Sequence, residues 1–277
     1  MNPRSELPQY LDRRRALAVF GSGLGTLVLA ACSRDDSTTT STATTEPGNS
    51  VGTTTPAVPV TEVPSSSVVA NCEVIPEETS GPFPGDGSNG PDVLSIDGVE
   101  RGDIRPSIGD ASGIATGTQL TIELTIVDSS TACSPKAGAA VYLWHADSDG
   151  RYSMYSSGVT DENYLRGVQV ADANGRLSFV SVFPGCYDGR WPHVHFEVYA
   201  TRADVNTGRP LVTSQLAFPA AACEVAYDAT GYEQSASNLT RVSLDSDMVF
   251  RDGADRQLAV MSGNTTEGFT ASLTVVV

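Results

Sequence analysis

The chain has 277 residues, enough for one large β domain or two small ones. It carries 17 Lys+Arg against 33 Asp+Glu, and the net charge of -16 argues against a nucleic-acid-binding surface and a polybasic membrane patch. It also disfavours a strongly anionic substrate unless a local Arg offsets the field, and the Gly, Thr, Ser and Val content suits a β-rich exported protein.

Residues 1–31 read as an export signal rather than fold. Arg13-Arg14-Arg15 precedes an apolar run, Ala16 to Ala31, that is too short to span a bilayer. The arginines suggest the twin-arginine route. The run ends Leu29-Ala30-Ala31-Cys32, which resembles the lipobox of bacterial lipoproteins, with Cys32 as the lipidated residue; an ordinary signal with a chance Cys is the alternative. Residues 32–70 are a Ser/Thr/Pro-rich stalk with too few large apolar groups to fold. The expected location is the extracellular face of a bacterial membrane, held only through the lipid, or the medium.

Residues 71–277 form the folded domain. Period-two alternation predicts strands at Leu120–Val127, Ala140–Trp144, Leu177–Val182, His193–Tyr199, Leu211–Phe218, Leu258–Met261 and Ala271–Val277. Turn signals at Asp149-Gly150, Asn174-Gly175, Pro184-Gly185 and Thr207-Gly208 separate several of them. The expected fold is mainly β, a single antiparallel β-sandwich. Residues Tyr227 to Asp247 read as a short helix or a long loop. Four Cys remain in the domain, Cys72, Cys133, Cys186 and Cys223, and an even number in an exported protein implies two disulfides. Three pairings exist; Cys72–Cys133 with Cys186–Cys223 is preferred, because the first would pin the N-terminal arm to the loop after the first strong strand. Free thiols are the alternative, and no C-x-x-C spacing supports a thiolate metal site.

Only three His occur: His145, His193 and His195. His193-Val194-His195 lies in a strand pattern, so both imidazoles share one face and could converge on an ion. Taken alone, H-x-H is a modest signal, and two surface His would give the same pattern. Tyr187 follows the tight Pro184-Gly185 turn just upstream, and Tyr152 follows the strand ending at Trp144. A phenol is a poor ligand until a strong Lewis acid such as Fe(III) deprotonates it. Two phenolates, two neutral imidazoles and a hydroxide would balance a 3+ ion, whereas Zn(II) or Cu(II) would not need two phenolates. Each Tyr alone would otherwise be a half-buried aromatic with its hydroxyl hydrogen-bonded.

The succession Val141-Tyr142-Leu143-Trp144-His145-Ala146-Asp147, Gly150-Arg151-Tyr152-Ser153, Leu165-Arg166-Gly167, Asp172-Ala173-Asn174-Gly175, Phe183-Pro184-Gly185-Cys186-Tyr187 and His193-Val194-His195 resembles the intradiol ring-cleavage dioxygenases. Thr79-Ser80-Gly81-Pro82 resembles that family's T-x-G-P segment, and Ser214-Gln215 the strand supplying a site Gln. The resemblance implies one non-haem Fe(III) per chain held by Tyr152, Tyr187, His193 and His195. It implies O2-dependent cleavage of catechol-type diols to muconate-type diacids, so the partners are a small aromatic diol and O2. Tyr187 would leave the metal when substrate arrives. Arg190 would lie beside the substrate and offset developing negative charge, with Gln215 as a polar residue behind the ligands. His145 would be a hydrogen-bonded structural residue. The family's helical dimerisation region has a stalk in its place here, so oligomeric state does not carry over. The short Tyr187–His193 interval implies an open pocket suited to larger catechols, and a Cys186–Cys223 bond would restrain the Tyr187 loop. The competing reading is a non-catalytic surface β-sandwich lipoprotein that binds aromatic or carbohydrate ligands, which fold alone would not distinguish.

Overall fold

The computed structural model describes residues 72–207 and 209–277. The export signal, the stalk and Cys32 lie outside these residues. The strands are β1 (Gln119–Asp128), β2 (Ser134–Pro135), β3 (Ala140–Trp144), β4 (Arg166–Val170), β5 (Arg176–Val182), β6 (His193–Tyr199), β7 (Val212–Ala217), β8 (Val260–Asn264) and β9 (Gly268–Val276). Two helices, α1 (Ala220–Tyr227) and α2 (Glu233–Leu239), follow β7.

The strands form two sheets. One has the order β2-β1-β9-β8, with β5 also pairing with β1; the other runs β4-β3-β6-β7. The arrangement is the expected mainly β sandwich, with one correction: β1 and β9 pair in parallel, from Leu120 opposite Phe269 to Val127 opposite Val276. No hairpin joins these two strands. Residues 129–267, which carry β2 to β8, form their connection, and its length makes the parallel pairing sterically possible.

Alternation fills the space between the sheets. Leu120, Ile122, Leu124 and Ile126 of β1 meet Val194, Phe196 and Val198 of β6 in one buried cluster. Truncating such a side chain to Ala costs about 2–5 kcal/mol. The outer face of the four-stranded sheet is also covered. Tyr142, Trp144 and Tyr199 point there, under Val93, Leu94, Val99, Tyr152 and Val205. Every residue of β6 is therefore buried, its polar face included.

β4 and β8 depart from the expected strands, whereas the stretch from Tyr227 to Asp247 holds a short helix, one of its two readings. β4 was not anticipated, because Arg166 and Gln169 break the apolar pattern; Arg166 is nevertheless 1% exposed. β8 begins later than expected, since Leu258 and Ala259 instead bridge to Ala217 of β7. The stretch from Tyr227 to Asp247 holds α2 and a short 3-10 turn, Leu244–Ser246.

Cys72 and Cys133 form a disulfide. The expected second bond is not made: Cys186 and Cys223 are both buried free thiols. Each faces a nearby main-chain carbonyl, Cys186 Sγ toward Arg190 O at 3.5 Å and Cys223 Sγ toward Phe218 O at 4.0 Å. Burial pushes the Cys186 thiol up to about 12 and that of Cys223 well above its usual value, so both stay protonated.

Candidate active site

His193 and His195 lie on the outer face of β6, as period two requires. Their Nε2 atoms are 3.1 Å apart. His193 donates Nδ1–H to Trp191 O at 2.5 Å, which leaves its Nε2 lone pair free. The His195 ring stacks on Trp144 at 5.0 Å and 6°. Gly81, at φ +70°, closes over its edge: a Cβ there would sit 3.2 Å from His195 Cε1.

Two loops bring the tyrosines. After β3 the chain turns through Asp147, which is 3% exposed and accepts from Asp149 N and Arg151 N through Oδ1 and from Tyr164 Oη through Oδ2. This Asx-type turn delivers Tyr152. After β5, Gly185 N donates to Asp147 O at 2.9 Å, tying the second loop to the first. A Cβ on Gly185 would lie 2.5 Å from Ser148 O, so only Gly permits that approach. Gly150 (φ +78°) likewise packs against Tyr187, where a Cβ would sit 3.0 Å from Tyr187 Cβ. The Tyr187 loop is held from the other side by α2: Cys186 N donates to Ser235 Oγ at 3.0 Å and Asn238 Nδ2 donates to Cys186 O at 2.7 Å.

The four side chains meet. Tyr152 Oη stands 3.4 Å from both Tyr187 Oη and His193 Nε2, and Tyr187 Oη 3.2 Å from His193 Nε2. Four donors about 2.0–2.1 Å from one tetrahedral metal centre would stand roughly 3.3–3.4 Å apart. The spacing thus fits a shared ion. So does the chemistry. Burial, and then the Arg190 charge, lower His193 to about 3; burial and then His193 put His195 well below its ordinary value. Both imidazoles are therefore neutral and able to ligate near neutral pH. Burial raises Tyr187, opposed by Arg190, and raises Tyr152 strongly, reinforced by Tyr187. Such phenols ionise only beside a strong cation. His195 Nδ1, buried, makes no hydrogen bond, so that ring is oriented by stacking rather than by a polar partner.

Arg190 and Gln215 lie together beside this cluster. Arg190 Nη2 donates to Gln215 Oε1 at 2.7 Å, and Gln215 Nε2 donates to Thr79 O at 2.9 Å. Arg190 Nε pairs with Asp247, whose side chain is 0% exposed. His145 stands apart from the cluster's donors: its Nδ1–H reaches Ala146 O at 2.7 Å and its Nε2 accepts from Ser181 Oγ at 2.6 Å. Ser235, Asn238 and Asp247 were missed by sequence reasoning. They are ordinary polar residues in a stretch without periodicity, and only the fold shows what they hold.

Comparison with known proteins matches these features. Residues 99–230 match a family model described as Dioxygenase. The structure superimposes on an intradiol ring-cleavage dioxygenase from Tetranychus urticae with a TM-score of 0.58 and 26% identity, covering 74% of this chain and 94% of that one. In its matched segment and in its fold the domain is similar to the intradiol ring-cleavage dioxygenases. Chlorocatechol 1,2-dioxygenase of Rhodococcus opacus is 36% identical over 58 residues, which is 21% of this chain. That match spans 23% of the curated relative's length.

Proposed function

We propose that this intradiol dioxygenase domain binds one non-haem Fe(III) through Tyr152, Tyr187, His193 and His195, and cleaves catechol-type diols with O2 to muconate-type diacids. The observation that carries the reading is the convergence of two phenol oxygens and two imidazole nitrogens at 3.1–3.4 Å. A buried site with two hard anionic oxygens and two neutral nitrogens suits a trivalent ion better than a divalent one. When bound, the ion supplies Lewis acidity that holds both oxygens of the diol as anions and makes the ring reactive toward O2.

The chain's own groups account for one of the two proton transfers and for the charge beside the ring. Tyr187 is the more accessible of the two tyrosines, half-buried where Tyr152 is 2% exposed. Its Oη can leave the cluster and take one proton from the incoming diol, and the hydroxide that would balance a 3+ ion would take the other, so no dedicated general base is needed. Tyr152, wedged against Phe83 at 5.1 Å, stays. Arg190 presents a fixed positive charge beside the negative charge that develops on the ring. Its charge acts on all four donor side chains. Neutral His193 and His195 contribute no charge to the site.

We also infer that the chain is exported and tethered through Cys32, with residues 32–70 as the spacer. The Cys72–Cys133 disulfide supports an oxidising compartment. Labelling of the full chain with a radioactive fatty acid in cells tests this: label lost on Cys32→Ser supports the anchor, and label unchanged by it counts against. The ring-cleavage reading is tested by supplying catechol and 18O2 and analysing the product by mass spectrometry. A muconate-type diacid carrying both labelled atoms is expected; an extradiol semialdehyde or no product would reject it.

A further inference from the structure

Asp247 lies 57 residues from Arg190 in sequence yet is joined to it at 2.8 Å. Its carboxylate is 0% exposed and accepts four hydrogen bonds. Oδ2 takes Arg190 Nε at 2.8 Å and Trp191 N at 2.7 Å; Oδ1 takes Val249 N at 2.8 Å and Phe250 N at 3.3 Å. Two of these lead directly to the tyrosine–histidine cluster. The Trp191 carbonyl accepts His193 Nδ1–H, and the Phe250 ring lies 6.4 Å from that of His193. Arg190 is gripped at two edges, by Asp247 on Nε and by Gln215 on Nη2, so its guanidinium plane is fixed by chain from two distant stretches. A buried carboxylate is tolerated only when its lone pairs and its charge are met, and here Arg190 meets the charge. One charge-assisted bond to Asp247 and a second bond to Gln215 together fix the orientation of the guanidinium as well as its position.

We propose that Asp247 is a positioning residue for ring cleavage: it sets the Arg190 guanidinium beside the reacting diol and, through the Trp191 main chain, steadies the tautomer and ring of His193. The inference rests on the dioxygenase reading above. It assigns a role to the loop after the Leu244–Ser246 turn, which touches none of the proposed ligands by hydrogen bond.

The test uses Asp247→Asn in the full chain, which keeps shape and removes charge. Three readouts apply. Iron content and the phenolate-to-iron absorption are expected to stay close to the parent's, while kcat on catechol falls about 10- to 100-fold, the usual effect of losing a residue that orients a site. In a double-mutant cycle with Arg190→Ala, Asp247→Asn is expected to add little once Arg190 is gone. A kcat within about 2-fold of the parent, or full additivity with Arg190→Ala, overturns the proposal. Independently of iron, the Arg190 Nε–H of the metal-free protein is expected to exchange with solvent at least about 10-fold faster in Asp247→Asn. Unchanged exchange overturns the proposal even if the parent proves inactive, whereas an inactive, iron-free parent with faster exchange rejects the dioxygenase reading alone. Should Asp247→Asn not fold, Arg190→Lys keeps the charge and removes the Nε donor. The same loss of kcat at retained iron is then expected, and full activity would overturn the proposal.

Discussion

The two halves of the candidate site are built differently. His193 and His195 sit on one strand whose opposite face is anchored in the inter-sheet core by Val194, Phe196 and Val198. Tyr152, Tyr187 and Arg190 sit on connections, held by a turn at Asp147, by two glycines pressed into neighbouring backbone, and by polar contacts from α2 and Asp247. The strand half is fixed by the sandwich itself. The loop half is fixed by hydrogen bonds that single substitutions can remove. This division suits a site in which the imidazoles stay and one tyrosine moves.

The largest expected effect is on ligands that stay in place, His195 of the strand half and Tyr152 of the loop half. His195→Ala, or Tyr152→Phe, should lower bound iron by at least about 10-fold, measured by metal analysis on the purified full chain. Full iron retention in either would remove that residue from the proposed ligand set. Tyr187→Phe should behave differently: partial iron, with turnover lost, because the departing oxygen and its proton acceptance are gone. Arg190→Ala should mainly lower turnover and leave iron in place. If Tyr187→Phe and Tyr152→Phe were indistinguishable in both readouts, the contrast between a fixed and a mobile tyrosine would fail.

A smaller effect probes the packing of the two loops. Gly150→Ala must adopt φ +78° and press on Tyr187 Cβ at 3.0 Å. A loss of about 2 kcal/mol in denaturant unfolding is expected, from left-handed backbone strain and contact together. A stability equal to the parent's would mean that the loops are free to part.

At neutral pH the smallest effect is that of His145, which shows only on acidification. Burial holds His145 down at about 4, so in the folded protein it stays neutral as the pH falls through its unfolded value near 6.5. Above about pH 6.5 neither state is protonated and the group is silent. Below that, the unfolded chain takes up a proton that the folded chain refuses, so stability falls between about 6.5 and 4, by at most about 3 kcal/mol. His193 acts in the same direction in metal-free protein. His145→Gln should flatten part of this slope in denaturant midpoints taken at pH 7, 5.5 and 4.5; an unaltered slope would contradict the assignment.

The legibility of the molecule in its sequence follows the same division. β1 and β5 were readable because each buries one alternating face, β6 because its apolar Val194, Phe196 and Val198 alternate with polar residues, and β3 as a short apolar run buried on both faces. β4 was not readable: its buried Arg166 is satisfied by the Phe83 and Pro84 carbonyls and by Ser153, partners at sequence distances no local pattern encodes. The H-x-H pair followed from strand geometry, whereas the tyrosines needed the family resemblance to be singled out. Asp247, Ser235 and Asn238 are polar residues whose importance comes entirely from what the fold brings beside them. Parity of cysteines misled at Cys186 and Cys223, since counting thiols says nothing of where their sulfurs point.

The most direct test of the central claim is a visible spectrum with iron analysis on the purified full chain, before and after catechol is added under air. A coloured protein with one iron per chain, whose phenolate band shifts on catechol and recovers as a muconate-type product accumulates, is the predicted result. A colourless chain that takes up no iron on reconstitution and leaves catechol intact would contradict it, and would leave a dioxygenase-family sandwich that binds rather than cleaves.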